Sequence, residues 1–536
     1  MKKFTSAIIA LAMLCAMMVT MIPTASAAWD GTSVSASLIG SGTELDPYLV
    51  SSENDLAFVA YQVNTSVTTF AGEYFKLTSD LDLGGHNWTP IGENKSTGFF
   101  SGTFDGDGHT VYGLNVFTKP EDKNSLYGGL FGRVDSGVVK NVTVEGATVV
   151  TYKYGGAVVG NLTAKEDAAP AAVINCHAIN CTVRGYQIGG VVGRSSQTSV
   201  TKGHMTITGC TATNITLDKL TAEDYPALTV DFKNHFIGGI VGAIGSTVVS
   251  GCIATNITAS LYATSFGAAG GVVGVFGADK VSGDVVNCAA IDVTLTAYPE
   301  SFPEKSHLGG LIGKMCHVGV LAGDPNTEYS VFNCFVADVK ITNPTGCPDN
   351  GIVAGLVNDT IFFNDVYYVP QSDLASYGTD IYYSDYPFMT VNSLIELSVE
   401  KLNKGNSTAV WVANPAAGYP TIDIDALLAN EPAFVDYYVE LEAGVGETTT
   451  EAPAVDTTAA PEVDETTKAP EETEAPKTEE TEAPTVEGTE APAADVTTEA
   501  PAATEPAAEK GCGGMIAGGV VLIALLGTAV VSKKRD

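Results

Sequence analysis

Asp105-Gly106-Asp107-Gly108 alternates carboxylates with glycines, a spacing able to wrap a hard cation such as calcium. An EF-hand loop starting at Asp105 would carry Glu at its twelfth position, where this chain has Val116. Asp and Gly are also the residues that tight turns select, so a turn is the preferred reading. Asp105 and Asp107 stay weak metal candidates, and no cofactor is expected. Asp80 and Asp82 alternate along a strand and are read as facing solvent.

Polysaccharide chemistry would need more. A glycoside hydrolase sets two carboxyl groups across the scissile bond, and a lyase adds calcium and arginine. No Asp-Asp dipeptide occurs, and Arg133, Arg184 and Arg194 stand beside glycine-rich stretches without an acidic repeat. No catalytic residue is therefore assigned. The aromatic cluster Tyr367, Tyr368, Tyr377, Tyr382, Tyr383, Tyr386 and Phe388 could stack on sugar rings and donate hydrogen bonds. Tyr377, Tyr382, Tyr383 and Tyr386 are taken as its ligand-binding candidates, against packing of a C-terminal cap. The insertions at 218–234 and 296–307 are the other places where recognition could sit.

Cys176, Cys210, Cys252, Cys288 and Cys334 recur at one repeat position, where Val142 stands in an earlier copy. Stacked repeats would bring them within disulfide range, but five is odd, and small buried apolar residues are the expected role. A column offers no tetrahedral metal site. Cys181, Cys316 and Cys347 lie outside it. The seven histidines show no ligand spacing, and a core or edge role is preferred to metal binding; His235 and His307, just before glycine pairs, are read as loop positions.

The elements that hold these residues come from repeats. A glycine pair precedes a short apolar strand at Gly128-Gly129, Gly155-Gly156, Gly189-Gly190, Gly238-Gly239, Gly270-Gly271 and Gly309-Gly310, with a degenerate copy near Gly351. A second strand follows each, as in Asn175-Cys176-His177-Ala178. Apolar alternation indicates strands, and repeats of this length stack into solenoids. The fold predicted is an all-β, right-handed parallel β-helix, with glycine pairs at corners needing positive φ or close approach. Short helices should close its ends: one over 52–63, with Ser52 and Asp55 at capping-box spacing, and one on Ile395, Val399 and Leu402.

The two ends of the chain carry different signals. Lys2-Lys3, an apolar run over 7–22 and Ala25-Ser26-Ala27 read as a secretory signal peptide over 1–27. Residues 515–531 form an uncharged apolar run before Lys533-Lys534-Arg535, which reads as a transmembrane anchor with the bulk of the chain outside. Cys512 is a candidate processing site. Of the formal net charge of −35, residues 447–510 carry −15 and residues 28–446 carry −24. That Thr/Glu/Ala/Pro-rich stretch reads as a disordered acidic spacer. With only four arginines, a nucleic-acid partner is excluded.

Asp46-Pro47-Tyr48-Leu49-Val50, Trp88-Thr89-Pro90-Ile91-Gly92 and, above all, Gly102-Thr103-Phe104-Asp105-Gly106-Asp107-Gly108-His109-Thr110-Val111 resemble the opening module of bacterial GLUG-motif surface proteins. Gly129-Leu130-Phe131-Gly132 and Gly310-Leu311-Ile312-Gly313 look like the motif itself. Asp107 departs from the Asn more usual there. Gly511-Cys512-Gly513-Gly514 before the apolar run is similar to surface anchors of gut Firmicutes, without a Leu-Pro-x-Thr-Gly signal. The resemblance implies a β-helix on a bacterial cell surface and no settled activity. The expected organisation is a capping module over 28–125, repeats over 126–370, a C-terminal cap over 371–446, the spacer over 447–510 and the anchor over 511–536. The expected function is a non-catalytic adhesin meeting a host or cell-surface glycan or protein, with a polysaccharide-active enzyme or a structural envelope protein as alternatives.

Overall fold

Each repeat contributes the same series of short strands, and strands at equivalent positions pair in parallel with those of the next repeat. The computed structural model describes residues 29–430 except 93–97, 119–125, 197–203, 226–233, 263, 265, 278–282, 302–305, 316–328, 345–348, 358–360, 372, 381–387, 391–396, 404–405 and 407. Across the described residues run four parallel sheets of 10, 13, 7 and 8 strands. The chain is a parallel β-helix. Val139, Val173, Ile207, Val249, Val285 and Val331 share one register and are wholly buried. Branched side chains stacked at about 4.8 Å fill a narrow interior.

The bends between strands are built by two columns of residues in the left-handed region. One holds Asn141, Asn175, Gly209, Gly251, Asn287, Asn333 and Asp365, with φ between 49° and 65°. The other holds Gly146, Asn180, Asn214, Asn256, Asp292 and Asp338, with φ between 52° and 69°. Asn and Asp tolerate this conformation because their short polar side chains bond locally. Here they bond along the column. Asn175 Nδ2 donates to Asn141 Oδ1 at 2.9 Å, and Asn141 Nδ2 donates to Asp105 Oδ1 at 2.9 Å. In the second column Asn256 donates to Asn214 at 2.8 Å and Asn214 to Asn180 at 2.9 Å.

At the glycine pairs, close approach is the main requirement. Gly129 has φ 153°, but no positive φ occurs at Gly190, Gly239, Gly271 or Gly310. A Cβ on Gly239 would instead meet the Gly271 carbonyl of the next turn and come within 3.0 Å of Ala254 Cβ.

The N-terminal helix forms as expected, over Glu53–Asn64, with the Ser52 hydroxyl accepting from Asp55 N at 3.3 Å. Leu56, Val59, Ala60 and Val63 are buried and join the main core. Glu53 Oε1 accepts from Asp82 N at 2.9 Å, tying the helix to the first strands.

The C-terminal elements depart from expectation in two ways. Strands Tyr377–Asp380 and Phe388–Thr390 pair in parallel with their predecessors, so the ladders continue beyond residue 370. The second helix is a single turn, Val399–Leu402, capped by Ser398 and ending on Asn403. It does not lie over the end of the solenoid. With the ribbon Trp411–Val412/Thr421–Ile422 and the helix Ile424–Asn430, it packs on the flank, against Ile253, Ala289, Ile291, Phe335 and Tyr367. A stripe of apolar residues specifies that one helix face is covered, whereas whether an end or a side covers it depends on partners elsewhere in the chain.

The five column cysteines and Cys181 are buried, free thiols. Each column Sγ donates to a backbone carbonyl one turn back, such as Cys252 to Ile207 O at 3.4 Å and Cys288 to Val249 O at 3.5 Å. Cys181 repeats this bond at the second bend, to Val144 O at 3.5 Å. Burial pushes the Cys181 thiol up to about 11 and raises Cys176, Cys252 and Cys334, whereas at Cys210 and Cys288 burial is outweighed by bonds from the neighbouring column thiols, which lower them. All six are covered, and a thiol that a reagent cannot reach does not react. These six are therefore expected to resist alkylation in the native protein and to react in denaturant without reductant, as peptide mass spectrometry would show.

Candidate functional site

The strands Ile253–Leu261 and Ala289–Ala297 run nine residues each and pair in register up to Leu261 and Ala297. Tyr262 and Tyr298 follow directly, so their rings stand one turn apart, 6.1 Å between centroids and crossed at 80°. Lys219, just after the strand Thr211–Asp218, places its ammonium 3.8 Å from the Tyr298 ring centroid and 4.1 Å from that of Tyr262. Cation–π attraction of this kind holds a flexible lysine in place. Tyr298 Oη donates to the Asp218 carboxylate at 3.0 and 3.2 Å. The described residues of both insertions singled out in the sequence thus meet at one corner of the solenoid.

The first insertion folds back along that corner. Tyr225 Oη donates to Thr118 O, and its ring lies 5.0 Å from Phe117. Leu220 and Tyr225 pack with Val150, and Tyr186 and Tyr262 lie against them. Arg184 pins the insertion by a fork on Asp224, Nε to Oδ2 at 3.1 Å and Nη2 to Oδ1 at 2.5 Å. Asp224 Oδ2 also accepts from Thr221 N and Oγ1, at 2.8 and 2.9 Å. Burial disfavours the Asp224 charge, but these bonds outweigh it and hold the carboxyl below its ordinary range. Asp218 moves the other way, because burial outweighs the bonds it accepts. Burial, reinforced by Asp218, lifts the Tyr298 phenol to about 12. With Tyr152 and Phe117 exposed beside it, the corner is an aromatic ledge carrying one ammonium and one guanidinium.

The other candidates fall elsewhere. Tyr377 is half-buried against the main core. Tyr367 faces the flank cluster while Tyr368 packs on the main core, as adjacent strand residues must. Tyr382, Tyr383 and Tyr386 lie outside the described residues, as do Cys316, Cys347 and the apolar run 515–531. Asp105 and Asp107 sit at the head of an asparagine column, with Lys140 Nζ 3.2 Å from Asp105 and Lys76 Nζ 3.0 Å from Asp107. Asp107 adopts φ 49°, as a turn requires.

One sequence expectation is corrected. His235 and His307 lie on the strands Asn234–Gly238 and Ser306–Gly309, 0% and 3% exposed, and not in loops. Arg133 and Arg184 each pair with a single aspartate, Asp135 at 2.6 Å and Asp224. Asp80 and Asp82 are exposed, as expected, and Asp80 accepts from Thr110 N at 2.9 Å.

No protein-family model matches this chain. Halomucin of Haloquadratum walsbyi is 32% identical over 180 residues, covering 32% of this chain and 2% of halomucin. A candidate Gly-rich membrane protein of Evansella cellulosilytica is 34% identical over 133 residues, covering 23% of this chain and 14% of that protein. The chain thus spans a small fraction of either relative. Among solved structures, a candidate immunoglobulin A1 protease of Bacteroides ovatus covers 72% of this chain and 94% of its own, at 19% identity and TM-score 0.46. An IgA1 protease covers 60% of this chain and 21% of its own, at 13% identity and TM-score 0.41.

Proposed function

We propose that this chain is a surface-displayed β-helix that binds a glycan or protein ligand without transforming it, using the ledge of Tyr186, Lys219, Tyr262 and Tyr298. The observation that carries this reading is the meeting of two insertions, dispensable to the ladders, in one aromatic and cationic corner. Half-buried tyrosines offer ring area at low entropic cost, and Lys219 and Arg184 offer donors to hydroxyl or carboxylate groups. The nearby carboxylates are engaged in holding the ledge together, which suits binding better than acid–base work. Secretion and a C-terminal membrane anchor complete the proposal, from the signal-like start and the apolar run before Lys533-Lys534-Arg535. One relative's description as a membrane protein agrees with it, as does the resemblance to GLUG-motif surface proteins.

A glycan and matrix-protein array probed with the mature chain tests this. Saturable binding is expected, weakened at least about tenfold by Tyr262→Ala or Tyr298→Ala, the loss of one central aromatic anchor. Unchanged binding in both variants would remove the ledge from consideration. A triple change of Tyr382, Tyr383 and Tyr386 to Ala reports separately on the second candidate.

A further inference from the structure

The segment 397–430 crosses the solenoid's flank towards earlier turns. Near its start, Asn406 reaches Asn287 and Asn333: its Oδ1 accepts from their side-chain amides at 3.4 and 3.3 Å, and its Nδ2 donates to Asn287 Oδ1 at 3.1 Å. Trp411 Nε1 donates to Asn287 Oδ1 at 3.2 Å, and the Trp411 ring lies 5.4 Å from Phe335. Towards its end, Ile424 and Leu427 occupy the space over Gly209 and Gly251, where the asparagine column is interrupted and any Cβ would collide with them. The described residues therefore end, at residue 430, beside the middle of the solenoid.

Three features make this attachment separable. Its only sheet is its own two-stranded ribbon, so among the described residues no ladder bond holds it to the solenoid. The docked arrangement leaves the wholly buried Asn333 Oδ1 without a hydrogen-bond partner among the described residues. Once the segment leaves, Asn333 and Asn287 are free to pair directly or with water, as Asn175 and Asn141 already pair. The interior of the solenoid is also closed beneath it, since Val249, Val285 and Val331 belong to a separate core.

We infer that residues 397–430 form a releasable clasp, which peels from Leu427 back to Asn406 when load enters beyond residue 430. Peeling uncovers a strip of Ile253, Ala289, Phe335 and Tyr367 while the turns below remain folded. The clasp acts as a mechanical fuse between the ligand-bearing solenoid and whatever holds the C-terminal side of the chain.

Pulling single full-length molecules between residue 29 and the C-terminus tests this directly. An early step is expected before the solenoid ruptures, with a released length of up to roughly 120 Å for its 34 residues at about 3.5 Å each. Rupture of clasp and solenoid in a single event would overturn the inference. Hydrogen exchange on the full chain gives a second readout. In Trp411→Ala, peptides within 408–430 are expected to exchange about a hundredfold faster, with 253–261 and 289–297 still slow. Equal acceleration of the strands would overturn it as well.

Discussion

Gly239→Val is expected to cost at least about 3 kcal/mol and to lower the thermal midpoint by several degrees. The added side chain would lie against the Gly271 carbonyl, whose neighbours accept the bonds that stack this turn: Gly239 N to Gly270 O at 3.1 Å and Ile240 N to Val272 O at 3.0 Å. Backbone cannot rotate aside as a flexible side chain does, so the strain must open the corner or separate the turns. Gly239→Ala should show a smaller loss of the same sign. Thr216→Ala, on the exposed face of the same turn, should stay within about 0.5 kcal/mol. Circular dichroism against urea measures all three. An undisturbed Gly239→Val protein would mean that the corners are not in contact.

Acid should unfold the protein well above the carboxylate range. Burial holds His235 down to about 3 and His307 down to about 4, from an ordinary 6.5. Between about pH 6.5 and 4 the unfolded chain takes up protons at both imidazoles and the folded chain at neither. Stability is therefore full above 6.5 and falls as pH drops. Each histidine contributes a slope of about 1.4 kcal/mol per pH unit, roughly 3 together. Asp105 and Asp224, held low in the fold, act in the same direction at lower pH, while Asp218, held high, opposes them. A urea midpoint that drops steeply between pH 6.5 and 4.5 is expected, with a shallower slope in His307→Gln, where His235 and His177, also held low by burial, still contribute. A flat profile would place both histidines in contact with solvent.

How much of this could be read beforehand depends on what each feature requires. Recurring Gly-Gly pairs and apolar alternation announce stacked strands locally, because corner geometry and burial act on one repeat at a time. The helix after Ser52 is equally local. Asn175 before Cys176 recurs with the repeats, but its amide bonds to Asn141, as that of Asn214 bonds to Asn180, a full turn away, which no single repeat displays. The ledge is harder still. Tyr262 and Tyr298 each end a long strand at the same phase, a column signal available in the sequence, yet Lys219 meets them only through the folding back of an insertion. The flank clasp follows the same logic: Ile424 and Leu427 find Gly209 and Gly251 across more than 170 residues, and helical periodicity carries no address.

Binding without turnover at the Tyr262/Tyr298 ledge is tested most directly by titrating an array-selected ligand into the mature chain and recovering it for mass spectrometry. The expected result is saturable binding at one site, lost in Tyr298→Ala, with the ligand recovered intact. Cleaved ligand would contradict the account and make the Asp218 carboxyl the next group to change.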